Sequence, residues 1–296
     1  MSAAIDLSQL PAPNVIEPLD YETILAAHLV DLEAQGVDLD ELTESDPAIK
    51  VVQLGAYREL KLRQRINEAA RALMLAYAMG TDLDQIGANM DVPRLEIWPA
   101  DPDKGTAAAM EADEDYRRRI QLAPQGMSVA GPEGAYIFHA LSANGRVRNA
   151  TATSPTPGKV IVTILSHEGD GTPSQELLDI VATRMAQDGI RPLTDYVEVR
   201  AAQIVRYQVR AKLYSFSGPD PTVVLAEAIK RMQKYAKEAH QLGRVPTRSG
   251  IDAAIVVPGV ERAILSTPTE DPEISKLVAH YCEDMQIEYA GIWGNA

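Results

Sequence analysis

The longest helical pattern in the chain starts at Asp46, a good N-cap, followed by Pro47, which suits the first helical position. Helix formers then continue to Met79, and Gly80 supplies a stop. The pattern therefore predicts a rod of about 33 residues, roughly 50 Å long. Ile49, Val52, Ala56, Leu60, Ile66, Ala70, Leu73 and Tyr77 recur at helical spacing. Val51, Leu54, Leu62, Ala69 and Leu75 widen the apolar stripe beyond the ~100° that one core requires. Polar positions pair along the same surface, as in Glu59 with Arg63 and Glu68 with Arg71. Such a helix needs several helical neighbours, more than one chain of this size offers, so partner helices from other chains are expected.

Elsewhere the spacing is more ordinary. Prolines at Pro11 and Pro13 favour an extended arm, and Asp20 to about Glu33 reads as a first helix with Ile24, Leu25, Ala27, His28 and Leu32 facing inward. A short helix is expected from Thr81 to Met90, with Thr81 and Asp84 as a capping box. Residues 91–112, rich in Pro, Asp and Gly, read as a long connection. Helices then follow over Glu114–Leu122 and from Pro132 past Leu141 to Asn144-Gly145.

From Val147 the period changes from helical to alternating. Arg148–Thr153 and Lys159–Ser166 flank a turn at 154–158 and predict a hairpin. A helix is expected from Thr172 to Gln187 and a strand over Val197–Ala201. Val205, Tyr207, Val209, Ala211 and Leu213 alternate strictly with polar residues, the clearest half-buried strand in the chain. Helices over Pro221–Gln241 and Ser249–Val256 precede strands at Val260–Ser266 and Ile287–Trp293. The fold class expected is α+β: a helical N-terminal half with one very long helix, then one or two small α+β sandwich domains. The domain boundaries expected are 1–45 (acidic arm and helix), 46–145 (bundle-forming helices with the connection at 91–112), 146–202 and 203–296.

Charge narrows the function classes. Acidic residues outnumber basic ones 42 to 28, a net charge of −14, which argues against broad binding of nucleic acid or an anionic membrane. Residues 1–46 carry eleven carboxylates and no Lys or Arg, while 47–79 reverse the sign with Lys50, Arg58, Lys61, Arg63, Arg65 and Arg71. Blocks of opposite sign can lie against each other or against other subunits. The longest apolar stretch, Ala72–Gly80, falls short of the ~20 residues of a membrane span, and no secretory leader is expected from the unbasic N-terminus. A soluble protein made in the cytoplasm is expected. The single cysteine, Cys282, excludes an intramolecular disulfide.

Candidate chemistry is thin. Five scattered histidines offer no helical ligand pair, and His280 with Cys282 lacks a third metal ligand. The turn Gly126-Met127-Ser128-Val129-Ala130-Gly131 has its second glycine one residue too far for a nucleophile elbow. Glu168-Gly169-Asp170-Gly171 lacks the oxygen-ligand pattern of a calcium loop. The acidic run Glu111, Asp113, Glu114 and Asp115 sits where carboxylates favour a helix dipole, and Arg117-Arg118-Arg119 is expected to meet acidic neighbours in the chain or in a partner. No enzyme activity, cofactor or metal is expected. A hydrolase built on Ser128 or on the 111–115 carboxylates, and a cytoplasmic assembly adaptor, stand as alternatives to a structural role.

Several segments strongly resemble the baseplate J-like proteins of contractile-tailed phages, a family also used by R-type pyocins. They are Ala56-Tyr57-Arg58-Glu59-Leu60, Arg63 through Arg71, Asp82-Leu83-Asp84 and Ile86-Gly87-Ala88-Asn89. Ile5 through Pro13, Leu19-Asp20-Tyr21-Glu22, Asp115-Tyr116-Arg117, Ser128 through Gly131, Val162 through Ser166 and His240 through Arg244 continue the likeness. The resemblance implies a structural baseplate wedge subunit, two copies of which join one smaller wedge protein (tail protein I-like) in a heterotrimer through a helical bundle. It further implies contacts with neighbouring wedges, the sheath-initiating wedge protein, the central hub and spike, and the tail fibres, with no nucleic-acid or membrane partner. The implied location is the bacterial host cytoplasm during assembly and then the baseplate of the particle. The residues expected to bind partners in the bundle are Val52, Ala56, Tyr57, Leu60, Arg63, Ile66, Ala70, Leu73 and Tyr77.

Overall fold

The computed structural model describes residues 5, 7, 10–11, 13–39, 42–187, 189–218 and 220–293. Its contacts divide the chain into a first unit ending at Pro93 and a second beginning at Arg94.

The first unit holds α1 (Tyr21–Ala34), α2 (Pro47–Ala72) and α3 (Gly80–Ala88). Asp20 caps α1 by accepting the Thr23 N–H, and Asp46 caps α2 by accepting the Ala48 N–H with Pro47 at the first position. Helix α1 packs on α2 through buried Ile24 and Ala56. Buried Asn67 fastens the segment before α1 to α2 in both directions: its Oδ1 accepts the Glu17 N–H at 3.1 Å, and its amide donates to the Glu17 carbonyl at 2.8 Å. That reciprocity satisfies a side chain that would otherwise be costly to bury.

The very long helix expected over Pro47–Met79 is not present. Helix α2 has 26 residues and ends at Ala72, about 39 Å at 1.5 Å per residue. Beyond it the chain folds into tight turns, with Tyr77 N–H and Ala78 N–H both donating to the Met74 carbonyl at 2.9 and 2.8 Å. Residues 73–79 have good helix propensity, but burial overrides it. Ala78, Leu83 and Val92 are all buried, so the chain turns here rather than running on into solvent. Gly80 completes the turn at φ +54°, where a side chain would be strained.

In the second unit, residues 94–112 are not a free connection. Strands β1 (Glu96–Trp98) and β2 (Ala109–Met110) pair antiparallel, and α4 (Asp113–Gly126) follows. Buried Arg119 of α4 grips Glu111 with two hydrogen bonds, Nε to Oε1 at 3.0 Å and Nη2 to Oε2 at 2.7 Å. Arg94 joins them, donating to the Glu111 carbonyl at 2.7 Å, pairing with Asp113 at 2.8 Å and lying over the Tyr116 ring at 4.6 Å. Gly145 lets the turn after α5 (Glu133–Leu141) approach this hairpin, because a Cβ there would sit 2.3 Å from the Glu96 carbonyl oxygen.

Two three-stranded sheets complete the unit. In the first, β3 (Val147–Thr156) and β4 (Lys159–Ser166) form a hairpin, and β5 (Tyr196–Ala201) joins β4 in parallel after α6 (Gln175–Met185). Tyr136 and Ala140 of α5 and Leu177, Val181 and Met185 of α6 cover Val162 and Ile164. The second sheet has the order β7-β6-β8, from β6 (Gln203–Ser215), β7 (Val260–Thr267) and β8 (Val278–Ile292). Helices α7 (Pro221–Ala239) and α8 (Arg248–Ile255) close its core, with Met232, Ile251 and Ile255 against Val209, Ala211 and Leu213. Strand β8 begins nine residues before the Ile287 expected from sequence, because the non-alternating run from His280 pairs parallel with the start of β6 across a bulge after Cys282. Only Ala202 separates β5 from β6. The Ala202 N–H donates to Ile164 of β4 at 2.8 Å, and the Gln203 N–H donates to Leu277 at 2.9 Å, so backbone bonding passes directly from one sheet to the other.

Glu111→Ala should destabilise the protein by about 3–5 kcal/mol in urea unfolding, because it strands the buried Arg119 guanidinium. The double replacement Glu111→Leu with Arg119→Met should cost far less than the sum of its two single changes.

Candidate functional site

Helix α2 has two different faces. At about 100° per residue, Val52, Ala56, Leu60, Arg63 and Ala70 share one side. Ala56 is buried, Val52, Leu60 and Ala70 are half-buried, and Arg63 binds Glu59 at 2.7 Å and Glu17 at 3.0 Å. His28 of α1 meets Glu59 on this side, with Nε2 2.6 Å from Oε2. A second arc, about 120° wide, runs from Leu54 through Val51 and Leu62 to Ile66, which adjoins Val52 and Ala70; these four side chains are between 56% and 69% exposed. Ala69 continues this stripe, and the even more exposed Leu73 stands just past the helix end.

The residues expected to bind partners are therefore split. Ala56 and its half-buried neighbours face elements of their own unit, whereas Tyr57, Ile66 and Leu73 are exposed, Tyr57 with the Lys61 ammonium 5.6 Å above its ring. Tyr77 lies in the turn after the helix, half-buried. Sequence spacing found the breadth of the stripe but not which arc the chain covers itself. That depends on where α1 packs, and nothing within α2 records it.

The candidate catalytic groups are dispersed. Ser128 lies in the turn between α4 and α5, its Oγ accepting the Ala130 N–H at 3.3 Å. The 111–115 carboxylates do not converge: Glu111 goes to Arg119, Asp113 goes to Arg94, and half-buried Asp115 has its pKa raised, chiefly by desolvation. Asp170 is tied to Arg206 at 2.8 Å and to Thr172, which hold its pKa down to about 2. Cys282 is partly buried, and desolvation raises its thiol pKa. Among the described residues no group of three or more His, Cys, Asp or Glu side chains could hold a metal.

The arginine triplet opens a different feature. Arg119 points inward to Glu111, but Arg118 enters a cleft of about 400 Å³ bounded by α4, β3 and the end of α7. Arg148, His167, Lys234 and Lys237 line the same cleft. Burial first, and then the cations Arg148 and Lys237, push the His167 pKa down to about 4.

Leu62→Glu should leave urea-unfolding stability within about 0.5 kcal/mol of the parent, whereas Ala56→Glu, which forces a carboxylate between α1 and α2, should cost several kcal/mol. A second prediction concerns acid. His139, His167, His240 and His280 all have folded pKa values lowered first by desolvation. The unfolded chain therefore takes up protons first, near the ordinary value of about 6.5. Stability should be full above that value and should fall as the pH drops toward 4. The fall, read as the urea midpoint across the series, should be shallower in His167→Gln.

Comparison with known proteins bears on all of this. Residues 44–101 match the Baseplate J-like N-terminal domain, and residues 128–201 match the Baseplate J-like central domain. Baseplate protein J of Escherichia phage P2 is 45% identical over 97% of this chain and 98% of its own length. Among solved structures, a chain of the anti-feeding prophage (AFP) baseplate, determined by cryo-electron microscopy with 6-fold symmetry, aligns at 13% identity with a TM-score of 0.40. That alignment covers 61% of this chain and spans 43% of the other. The match to the P2 protein runs through both α2 and the two sheets, and with it the chain belongs to the baseplate J-like family.

Proposed function

We propose that this chain is a structural subunit of a contractile-tail baseplate and that it acts there as a wedge protein. The observation that carries the finer reading is the exposed apolar arc of α2, formed by Val51, Leu54, Leu62 and Ile66. Burying such side chains gains about 25 cal/mol per Å² of apolar surface, which favours association with further helices. In this reading a second copy of the chain and a smaller wedge protein supply those helices and complete a three-chain bundle. Tyr57 and Leu73 extend the contact at its edges, while Val52, Ala56, Leu60, Arg63 and Ala70 support it from behind by holding α1 and the segment at Glu17 in place.

The assembled wedges would surround the central hub and spike, meet the sheath-initiating wedge protein and carry the fibres. A signal would then pass as a change of contacts between rigid bodies, with no bond made or broken. The site of action is the baseplate of the particle, reached from the host cytoplasm where the tail is built. Near-full-length identity with a phage baseplate protein supports the structural role over the adaptor reading. The separation of Ser128 and of the 111–115 carboxylates into unrelated contacts gives the hydrolase reading no geometric support.

The double variant Leu62→Asp with Ile66→Asp tests this directly. Co-expressed with the other tail proteins, it should remain folded by circular dichroism yet fail to co-purify with the smaller wedge protein, and tails should lack complete baseplates in electron micrographs. Normal co-purification and intact baseplates would refute the role assigned to α2.

A further inference from the structure

The cleft beside α4 gathers four cations, Arg118, Arg148, Lys234 and Lys237, with three carboxylates, Glu114, Asp115 and Glu238, in a protein whose net charge is −14. Arg118 is half-buried there, and its guanidinium has no hydrogen bond or ion pair among the described residues. Arg148 gives one nitrogen to the Lys237 carbonyl at the end of α7, at 2.6 Å. Lys234 is loosely paired with Glu238 at 3.8 Å, and Lys237 stands exposed at the rim. Asp115 shares the cleft and acts electrostatically on both arginines without forming an ion pair; desolvation raises its pKa, and Arg148 and Arg118 oppose that rise. A partly desolvated guanidinium with no hydrogen bond keeps donors available to a further acceptor. The depressed pKa of His167 reports the same positive surroundings, since Arg148 and Lys237 both add to the desolvation effect.

The unbonded Arg118 donors suit a carboxylate ligand, and the chain's own sequence contains an acidic segment. Residues 1–46 hold eleven carboxylates and no basic side chain. The stretch Val37–Asp46 holds five of them, Asp38, Asp40, Glu41 and Glu44 around Leu39 and Leu42, and Asp46, which is engaged as the cap of α2. The rim of the cleft offers matching apolar surface at Ile97 and Met110. We propose that this cleft docks the acidic 37–46 segment of a second copy of this chain, with a carboxylate of that segment seated between Arg118 and Arg148. The arginine fork supplies geometry for a carboxylate, and Lys237 draws the segment in by charge. This contact is separate from the α2 arc and stands or falls without it.

The test uses the full-length protein and a fluorescein-labelled peptide with the sequence of residues 37–46, read by fluorescence anisotropy at low ionic strength. Saturable binding is expected, weakened at least ~tenfold in about 0.5 M salt. Arg118→Gln should weaken it at least ~fivefold. Lys237→Glu, at an exposed position where folding is not at stake, should do the same. The proposal is overturned if the peptide does not bind, if both variants bind it as well as the parent does, or if a peptide with every Asp and Glu amidated binds equally. Complete displacement by inorganic phosphate at about millimolar concentration, with phosphate alone binding as tightly, would make this a small-anion site and equally overturn it.

Discussion

Helix α2 carries apolar side chains around more of its circumference than α1 can cover. One neighbouring helix shields one arc of another, and here that arc is used for Ala56, Leu60 and the Asn67 fastening at Glu17. The remaining arc keeps Val51, Leu54, Leu62 and Ile66 in water, where each large side chain forgoes the stabilisation that burial would bring. Single exposed leucines are ordinary, but Val51, Leu54, Leu62 and Ile66 fall within one arc of about 120°, interrupted by Arg58 between Leu54 and Leu62. Under the bundle proposal, this open arc of α2 is the surface that further helices would cover.

Local chemistry was readable in the sequence wherever a few adjacent residues decide the outcome. Asp46 followed by Pro47 marked the start of α2. The turn expected at 154–158 narrows to Pro157-Gly158 because β3 runs on to Thr156, and the alternation expected from Val205 marks the buried face of β6 only from Val209 to Leu213, Val205 being exposed. What failed were features set by distant contacts. Residues 73–79 look helical in isolation, yet the burial of Ala78 with Leu83 and Val92 turns the chain there, and the rod shortens to 26 residues. The first half of β8 carries no alternation, because its partner β6 decides its course rather than a buried face. Within the candidate site, the breadth of the apolar stripe was legible, but the arc that stays open was not, since it is set by the packing of α1.

Charge in the second unit follows the same division. The triplet Arg117-Arg118-Arg119 reads as one basic spot in sequence, but successive helical positions differ by about 100°, so its members enter different environments. Arg119 ends in a dry two-pronged grip on Glu111, which holds the β1–β2 hairpin to α4. Arg118 turns instead into the cleft with Arg148 and His167. Only the fold distinguishes a guanidinium that closes a structure from one that lines a cleft.

The passage from β5 through Ala202 into β6 has a mechanical consequence. An uninterrupted extended backbone runs through both sheets, and β4 and β8 flank it as parallel strands on either side of the Ala202–Gln203 step. Tension drawn along that backbone would load the flanking rungs simultaneously in shear instead of unzipping them one after another. The two sheets should consequently behave as a single stiff strut.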